Sequence, residues 1–370
     1  MESHSSKLSP KKVAIVHDWL IAGGAERVVL ELHHMFPDAP IYTSYCTPEW
    51  RERLDNKVVT GFLQRKPFPR LRKFVPFLRI WWFSRLDLRR YDLVISTSGA
   101  EAKGINVPPS TPHIAYIHAP THYYWSRYDE YMKRPGFGRL DPLARVGLKL
   151  LIKPLRNWDY KAAQRPTHLL ANSTHTQAGV KKYYGRDSTV VHPPVDIERF
   201  NGASAAKRAG FVITGRQTPY KRVDLAVRAC TQLNLPLTVV GDGPDNHRLR
   251  ELAGPSITFT GFVAEKEVAR LVSSAEAFLF PGVDDFGISP VEAMAAGTPV
   301  IAYKAGGALD YVTKTTGLFF NEQTVDSLAK ALQSFNASKY SSSDIKKAAE
   351  AFSKEVFAKN MTAEVAKVIY

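Results

Sequence analysis

Cysteine is nearly absent. Cys46 and Cys230 are the only two in 370 residues, and they lie far apart. That excludes a disulfide-stapled scaffold and a CxxC-type zinc or redox site. No run reaches about 18 uninterrupted apolar residues, so no membrane-spanning helix is expected. Met1 to Lys12 is polar without an apolar core, so no secretory signal is expected, and residues 1–11 read as a disordered tail. A cytoplasmic, reducing setting follows as the expectation. No group of His, Cys and carboxylates has metal-ligand spacing, and neither a Ser-His-Asp arrangement nor a GxSxG elbow occurs. Acids are outnumbered, 35 Asp/Glu against 50 Lys/Arg, for a formal net charge of +15. A nucleic-acid-binding protein is one account of that charge. No helix-turn-helix pattern, zinc-finger spacing or RNP-like aromatic motif supports it, and no nucleic-acid partner is expected.

What is present is an ordinary globular balance, 44% apolar and 23% charged, at a length that suits two domains or three small ones. The charge is uneven. Residues 1–195 hold 30 Lys/Arg and 16 Asp/Glu, net +14, whereas the remainder is net +1. A basic half implies an anionic partner: nucleic acid, a phosphorylated substrate or an anionic membrane face. The densest stretch, Gln64 to Arg90, sets nine Lys/Arg against the single acid Asp87 and interleaves Phe68, Phe74, Phe77, Trp81, Trp82 and Phe83. Such a mixture fits an anionic membrane surface, where cations attract lipid headgroups and rings settle among them. It equally fits an amphipathic helix with its rings turned inward.

Short β-branched runs alternate with helical patterns along the whole chain. Strands are expected at 12–16, 41–45, 93–96, 113–117, 168–171 and 189–192. The last is stopped by Pro193-Pro194, which cannot continue a sheet ladder. The grammar then restarts, with strands expected at 211–214, 237–240, 257–260, 277–280 and 300–303. Two strand–helix series mean two doubly wound α/β domains. Ligands are then expected at the carboxyl ends of the strands and in the cleft between the domains. The division falls at residues 1–195 and 196–351, with a terminal helix over 352–370 packing back on the first domain.

Several loops at those strand ends carry candidate chemistry. Gly23-Gly24 joins a strand to a helix, which suits either a tight turn or a backbone that approaches a phosphate. Arg216 and Lys221 share the loop GRQTPYK after a strand. There they are either solvated cations or a diphosphate clamp able to stabilise a departing diphosphate. Gly215, Gly243 in GDGP, and Phe262 after Gly261 occupy the same face. The stretch FPGVDDFGISPVEAMAAGTP (280–299) places Asp284 and Glu292 eight residues apart. Ser289-Pro290 reads as an N-cap and first helical residue, which puts Glu292 in the first turn. A carboxylate there can accept from both ribose hydroxyls, and the N–H groups of Phe286, Gly287 and Ile288 can meet an anion or sugar oxygens. A capped, buried helix accounts for the same residues. His118 ends a strand, and the following THYYW supplies rings suited to stacking on a sugar.

In this order, the Gly23-Gly24 loop, IHAPTHYYW (117–125), GRQTPYKRVD (215–224), GDGP (241–244) and DDFGISPVEAMAAGTPVIA (284–302) resemble one family. It is the retaining glycosyltransferase family 4, the "group 1" enzymes of GT-B fold: two Rossmann-like domains facing each other across a cleft. The resemblance covers the chain from about Lys12 onward and is greatest to bacterial mannosyltransferases of polysaccharide assembly that use GDP-mannose. It implies that Arg216 and Lys221 bind the donor diphosphate, that Glu292 binds the donor ribose, and that Gly23 and Gly24 lie near the diphosphate and the acceptor. It implies that His118 lies close to the transferred sugar, and that Asp284 stands where the family usually has Glu. Gly215, Gly243, Phe262, Phe286, Gly287 and Ile288 complete the expected donor set. No metal and no other cofactor is implied. The partners implied are a nucleotide-diphosphate sugar and a glycan or lipid-linked acceptor, handled by the second and first domain respectively. A UDP-sugar donor, or an epimerase or phosphorylase on the same fold, are the competing enzyme readings.

Overall fold

The structure, a computed structural model, describes residues 12–21, 23–71, 76–133, 138–200 and 208–369. The tail expected to be disordered at 1–11 lies outside the described residues, as does Phe74. The chain divides into two compact units, 1–193 with 357–370, and 194–356.

The first unit is built on a sheet of seven strands: β1 (Val13–His17), β2 (Ile41–Thr43), β3 (Val58–Thr60), β4 (Leu93–Ser98), β5 (His113–Ile117), β6 (His168–Ala171) and β7 (Thr189–Val190). Every neighbouring pair is parallel, in the order β3-β2-β1-β4-β5-β6-β7. Strand β1 shows why its sequence is a continuous apolar run. Val13 and Ile15 enter one core with Leu32, Phe357 and Met361, while Ala14 and Val16 enter another with Trp82, Phe83 and Val94. Both faces of a parallel sheet are covered, so both sets of alternating side chains are apolar.

The second unit repeats the plan with β8 (Phe211–Thr214), β9 (Leu237–Val240), β10 (Ile257–Gly261), β11 (Ala277–Phe280), β12 (Val300–Tyr303) and β13 (Gly317–Phe320), all parallel, ordered β10-β9-β8-β11-β12-β13. Ile213 and Leu279 face one core and Val212 and Phe278 the other.

Two strands were not legible. β3 and β13 are short and each pairs with a single neighbour at a sheet edge, where burial imposes less of a pattern. The unit boundaries also differ from the expected 195/196 and 351/352. Val195 bridges to Ser353 and donates its N–H to the Phe352 carbonyl at 2.9 Å, and the Phe352 ring packs on Phe286 and Tyr311. These residues therefore belong to the second unit. The helix Lys354–Ile369 passes into the first unit at Phe357, whose ring lies 6.1 Å from that of Tyr116.

Part of the basic–aromatic stretch 64–90 is structural, while Arg65, Lys66, Arg85, Arg89 and Arg90 are exposed. Trp82 and Phe83 are core residues of the helix Pro76–Ser84, and Arg79 is buried in a bidentate pair with Glu101 at 2.7 and 2.9 Å. Only Phe77 and Trp81 among the rings of that helix stand half-exposed. No helix among the described residues is long and apolar enough to cross a membrane.

Candidate active site

In each sheet the strand order reverses once, between β1 and β4 and between β8 and β11. Loops at the carboxyl ends of such a pair diverge and leave a crevice for a ligand. The second unit fills this position with the predicted cations. A pocket there is lined by Gly215, Arg216, Gln217, Lys221, Val239 and Phe280, among others. Arg216 is exposed at its mouth, and Lys221 Nζ is ion-paired with the Asp284 carboxylate. Lys221 also stands over the rings of Tyr220 (5.7 Å) and Phe280 (5.9 Å). A cation held between a carboxylate and two ring faces is fixed in place yet still available to a stronger anionic ligand.

The loop that carries both cations is clasped to the loop after β9 by a residue the sequence did not single out. Gln217 is buried, donates Nε2–H to the Gly241 carbonyl at 2.8 Å and accepts from Asn246 Nδ2 at 2.7 Å. Gly243 lies so close that a Cβ on it would stand 2.3 Å from the Gln217 carbonyl oxygen. Its glycine is explained by loop-on-loop packing.

The stretch after β11 departs from the expected capping. The helix runs Ile288–Ala295 and is entered from Gly287 at φ +86°, with no side-chain cap. Ser289 and Pro290 are the second and third helical residues, and Glu292 lies beyond the first turn. The left-handed entry is open to glycine and turns the chain straight into the helix, so Ser289 is not needed as a cap. A Cβ on Gly287 would stand 2.8 Å from both the Phe280 ring and the Tyr311 hydroxyl. The Phe286 ring is buried against Tyr311 and Phe352, and its carbonyl accepts from Tyr311 Oη at 2.9 Å. Its ring is thus core, and Ile288 is half-buried beside it. Phe262, by contrast, is 82% exposed after β10.

Glu292 is buried and accepts from Arg199 Nη2 at 2.8 Å. Arg199 lies in the turn Glu198–Phe200, 93 residues earlier in sequence, and no local pattern marks it. Its guanidinium packs on Phe200 at 4.9 Å. The pair fixes the direction of the Glu292 carboxylate. Asp284 and Glu292 are therefore held by different cations, Lys221 and Arg199.

The first unit gathers its candidates at the other reversal. Gly23 and Gly24 are exposed ahead of the helix Ala25–Met35. Beneath them Glu26 is buried, accepts from the Ile21 N–H at 3.2 Å, and lies where a Cβ on Gly23 would meet its carboxylate at 2.7 Å. Burial pushes the Glu26 carboxyl up to about 7. His118 follows β5; its N–H donates to the Ser98 carbonyl, and its own carbonyl accepts from Asn172 Nδ2 at 2.9 Å. Its ring stands 6.1 Å edge-on to that of His17, whose pKa burial pushes down to about 4. Asp18, after β1, accepts from the N–H groups of Gly99, Ala100 and Ala102 at 2.7–2.9 Å, locking the loop after β4.

The rings of THYYW are buried or half-buried and tied into the fold. Tyr124 is fully buried, Tyr123 Oη donates to Glu101 at 2.8 Å, and Trp125 Nε1 donates to Asp159 at 2.7 Å. Asp159 in turn is ion-paired with Lys103 at 2.6 Å, both side chains fully buried. The Thr121 hydroxyl donates to Asp159 at 2.8 Å and accepts from Lys103 at 3.0 Å. Buried charges need such partners. The aromatics complete that network and hold the loop next to His118.

With this geometry in hand, comparison with known proteins decides the family. A family model described as "Glycosyltransferase Family 4" matches residues 22–199, and one described as "Glycosyl transferases group 1" matches residues 195–352. The chain belongs to the group 1, family 4 glycosyltransferases. The first match contains Gly23, Gly24 and His118; the second contains Arg216, Lys221, Asp284 and Glu292. Among relatives, a Corynebacterium glutamicum protein named GDP-mannose-dependent monoacylated alpha-(1-6)-phosphatidylinositol monomannoside mannosyltransferase is 30% identical over 43% of this chain and 50% of its own length. The chain thus spans about half the length of that relative. Alpha-1,3/1,6-mannosyltransferase alg2 of Schizosaccharomyces pombe is 25% identical over 83% of this chain and 70% of its own. The crystal structure of Anabaena HepE in complex with UDP superposes with a TM-score of 0.69 at 16% identity, covering 96% of this chain and 100% of that one. The fold of this glycosyltransferase is GT-B.

Proposed function

We propose that this glycosyltransferase moves a sugar, with mannose from GDP-mannose as the leading donor, to a hydroxyl of a glycan or lipid-linked glycan, with retention of configuration. The observation that carries this reading is the pocket at the β8/β11 reversal, lined by both Arg216 and Lys221, with Lys221 over the Phe280 ring. The donor diphosphate takes Lys221 from Asp284 and draws Arg216 onto its outer oxygens. Both cations then meet negative charge as it grows on the departing nucleoside diphosphate, which is where charge stabilisation accelerates the reaction. No resident metal is assigned to this role. Glu292, aimed by Arg199, accepts from the ribose hydroxyls. The acceptor hydroxyl attacks from the face the diphosphate leaves, and a departing phosphate oxygen takes its proton. Gly23 and Gly24, on the first unit, serve the diphosphate and the acceptor, and His118 serves the transferred sugar. A first half of net charge +14 suits an acceptor borne on a lipid phosphate at the cytoplasmic face of an anionic membrane. The mannosyltransferase names of two relatives support the donor assignment.

The test is a thermal-shift panel of GDP-, UDP-, ADP- and dTDP-sugars, since a ligand of the native state raises its melting temperature. GDP-mannose is expected to give the largest rise. Lys221→Ala should lower transfer on the order of 10²-fold or more, the loss typical of removing one such donor. Transfer at the wild-type rate in that variant would overturn the leaving-group role.

A further inference from the structure

Among the described residues of the first unit, the most exposed apolar side chains near the basic–aromatic stretch lie outside it, on the helix Asp141–Gln164; Phe77 (46%) and Trp81 (49%) are less exposed. The outward stripe of that helix is Leu143 (70% exposed), Val146 (56%) and Leu150 (73%), with Leu140 (53%) just ahead and Leu151 (40%) beside it. Positions 143, 146 and 150 recur at the spacing that aligns side chains along one helix face. The inward face of the same helix is anchored: Ile152 and Leu155 are buried with Tyr124, and Leu148 packs on that cluster. This stripe is therefore a second apolar face on a helix that already has its core contacts. Residues 142–158 carry Arg145, Lys149, Lys153 and Arg156 and no acid, and Lys149 and Lys153 are exposed along the stripe. Ile80 of the helix Pro76–Ser84 packs on the same cluster, so the half-exposed Phe77 and Trp81 belong to a neighbouring helix.

We infer that the Leu143–Val146–Leu150 face of this helix is where the protein seats on an anionic lipid surface. An apolar stripe continued by exposed lysines, with the half-buried Asp141 at the start of the helix as the nearest acid in it, fits the boundary between headgroups and acyl chains. A protein partner of ordinary interface composition would not select for exposed lysines along an apolar stripe. The inference deepens the proposed lipid-borne acceptor and takes its biological sense from it, but its test does not depend on it.

The experiment measures co-sedimentation of the full chain with vesicles of phosphatidylcholine alone and of phosphatidylcholine with an equal part of phosphatidylglycerol. Wild type is expected to sediment with the anionic vesicles, and less so as salt is raised. Leu143→Gln with Leu150→Gln should reduce the bound fraction at least tenfold. Lys149→Glu with Lys153→Glu should do the same. Both pairs are exposed, so folding is checked by tryptophan emission and by the donor thermal shift, which should be unchanged. Phe77→Gln with Trp81→Gln should have the smaller effect. If both helix variants bind vesicles as the wild type does, the inference fails. It also fails if the wild type is a dimer that the leucine variant splits, since the face would then join two copies. A null donor panel with face-dependent vesicle binding would remove the proposed activity and leave this surface standing.

Discussion

Glu26 gives the most quantitative prediction. Its carboxyl lies buried under the Gly23-Gly24 loop, and burial raises its pKa from 4.5 to about 7. A raised folded pKa means that folding favours the protonated form. Below about pH 4.5 both folded and unfolded Glu26 are protonated, and this contribution to stability is fully present. As pH rises the unfolded carboxyl ionises first, and the contribution is lost by the time pH passes about 7. The gap of 2.5 pH units between those two values corresponds to about 3 kcal/mol. Glu26→Gln keeps the shape and cannot ionise. Its stability relative to wild type should therefore be near zero at pH 4.5, climb through pH 5–7, and level off at about +3 kcal/mol above that. All six tryptophans, 19, 50, 81, 82, 125 and 158, lie within residues 1–193, so tryptophan emission during urea unfolding reports the first unit alone. Taking the difference between variant and wild type at each pH removes other titrations, including the buried His17. A difference that stays flat from pH 4.5 to 8.5 would refute the claim that burial holds this carboxyl protonated.

Other consequences can be checked separately. Arg199→Ala leaves Glu292 without its aiming cation; KM for the donor should rise several-fold with kcat less affected, and the rise should shrink with a 2′-deoxyribose donor. An equal fold rise for both sugars would mean that Glu292 does not read the ribose. Gly287→Ala forces a Cβ onto a left-handed backbone and against Phe280 and Tyr311. It should cost about 1–3 kcal/mol and lower the melting temperature of the second unit, with no change in the urea midpoint read by tryptophan. Asp159→Asn breaks the fully buried pair with Lys103 and should destabilise the first unit by about 3–5 kcal/mol, read from that same urea transition. Asp159→Asn combined with Lys103→Met should recover part of the loss, because no unpaired charge then remains.

The sequence by itself determined the two strand–helix series, because a parallel sheet covered on both faces demands unbroken apolar strands such as Val13–His17 and Ala277–Phe280. It also put Arg216, Lys221 and Asp284 in loops at strand carboxyl ends and Glu292 in the helix that follows, since strand–loop–helix order is written along the chain. The edge strands Val58–Thr60 and Gly317–Phe320 escaped it, as one-sided pairing leaves little pattern. Only tertiary structure decided which charges meet. Lys221 with Asp284, Arg199 with Glu292, and Lys103 with Asp159 join residues 56 to 93 positions apart, brought together by strand order and packing that no local window records. It also decided which aromatics are core. Tyr124, Trp82 and Phe286 turned inward, while Leu143 and Leu150 were left outside, because burial depends on what the rest of the chain sets against each face.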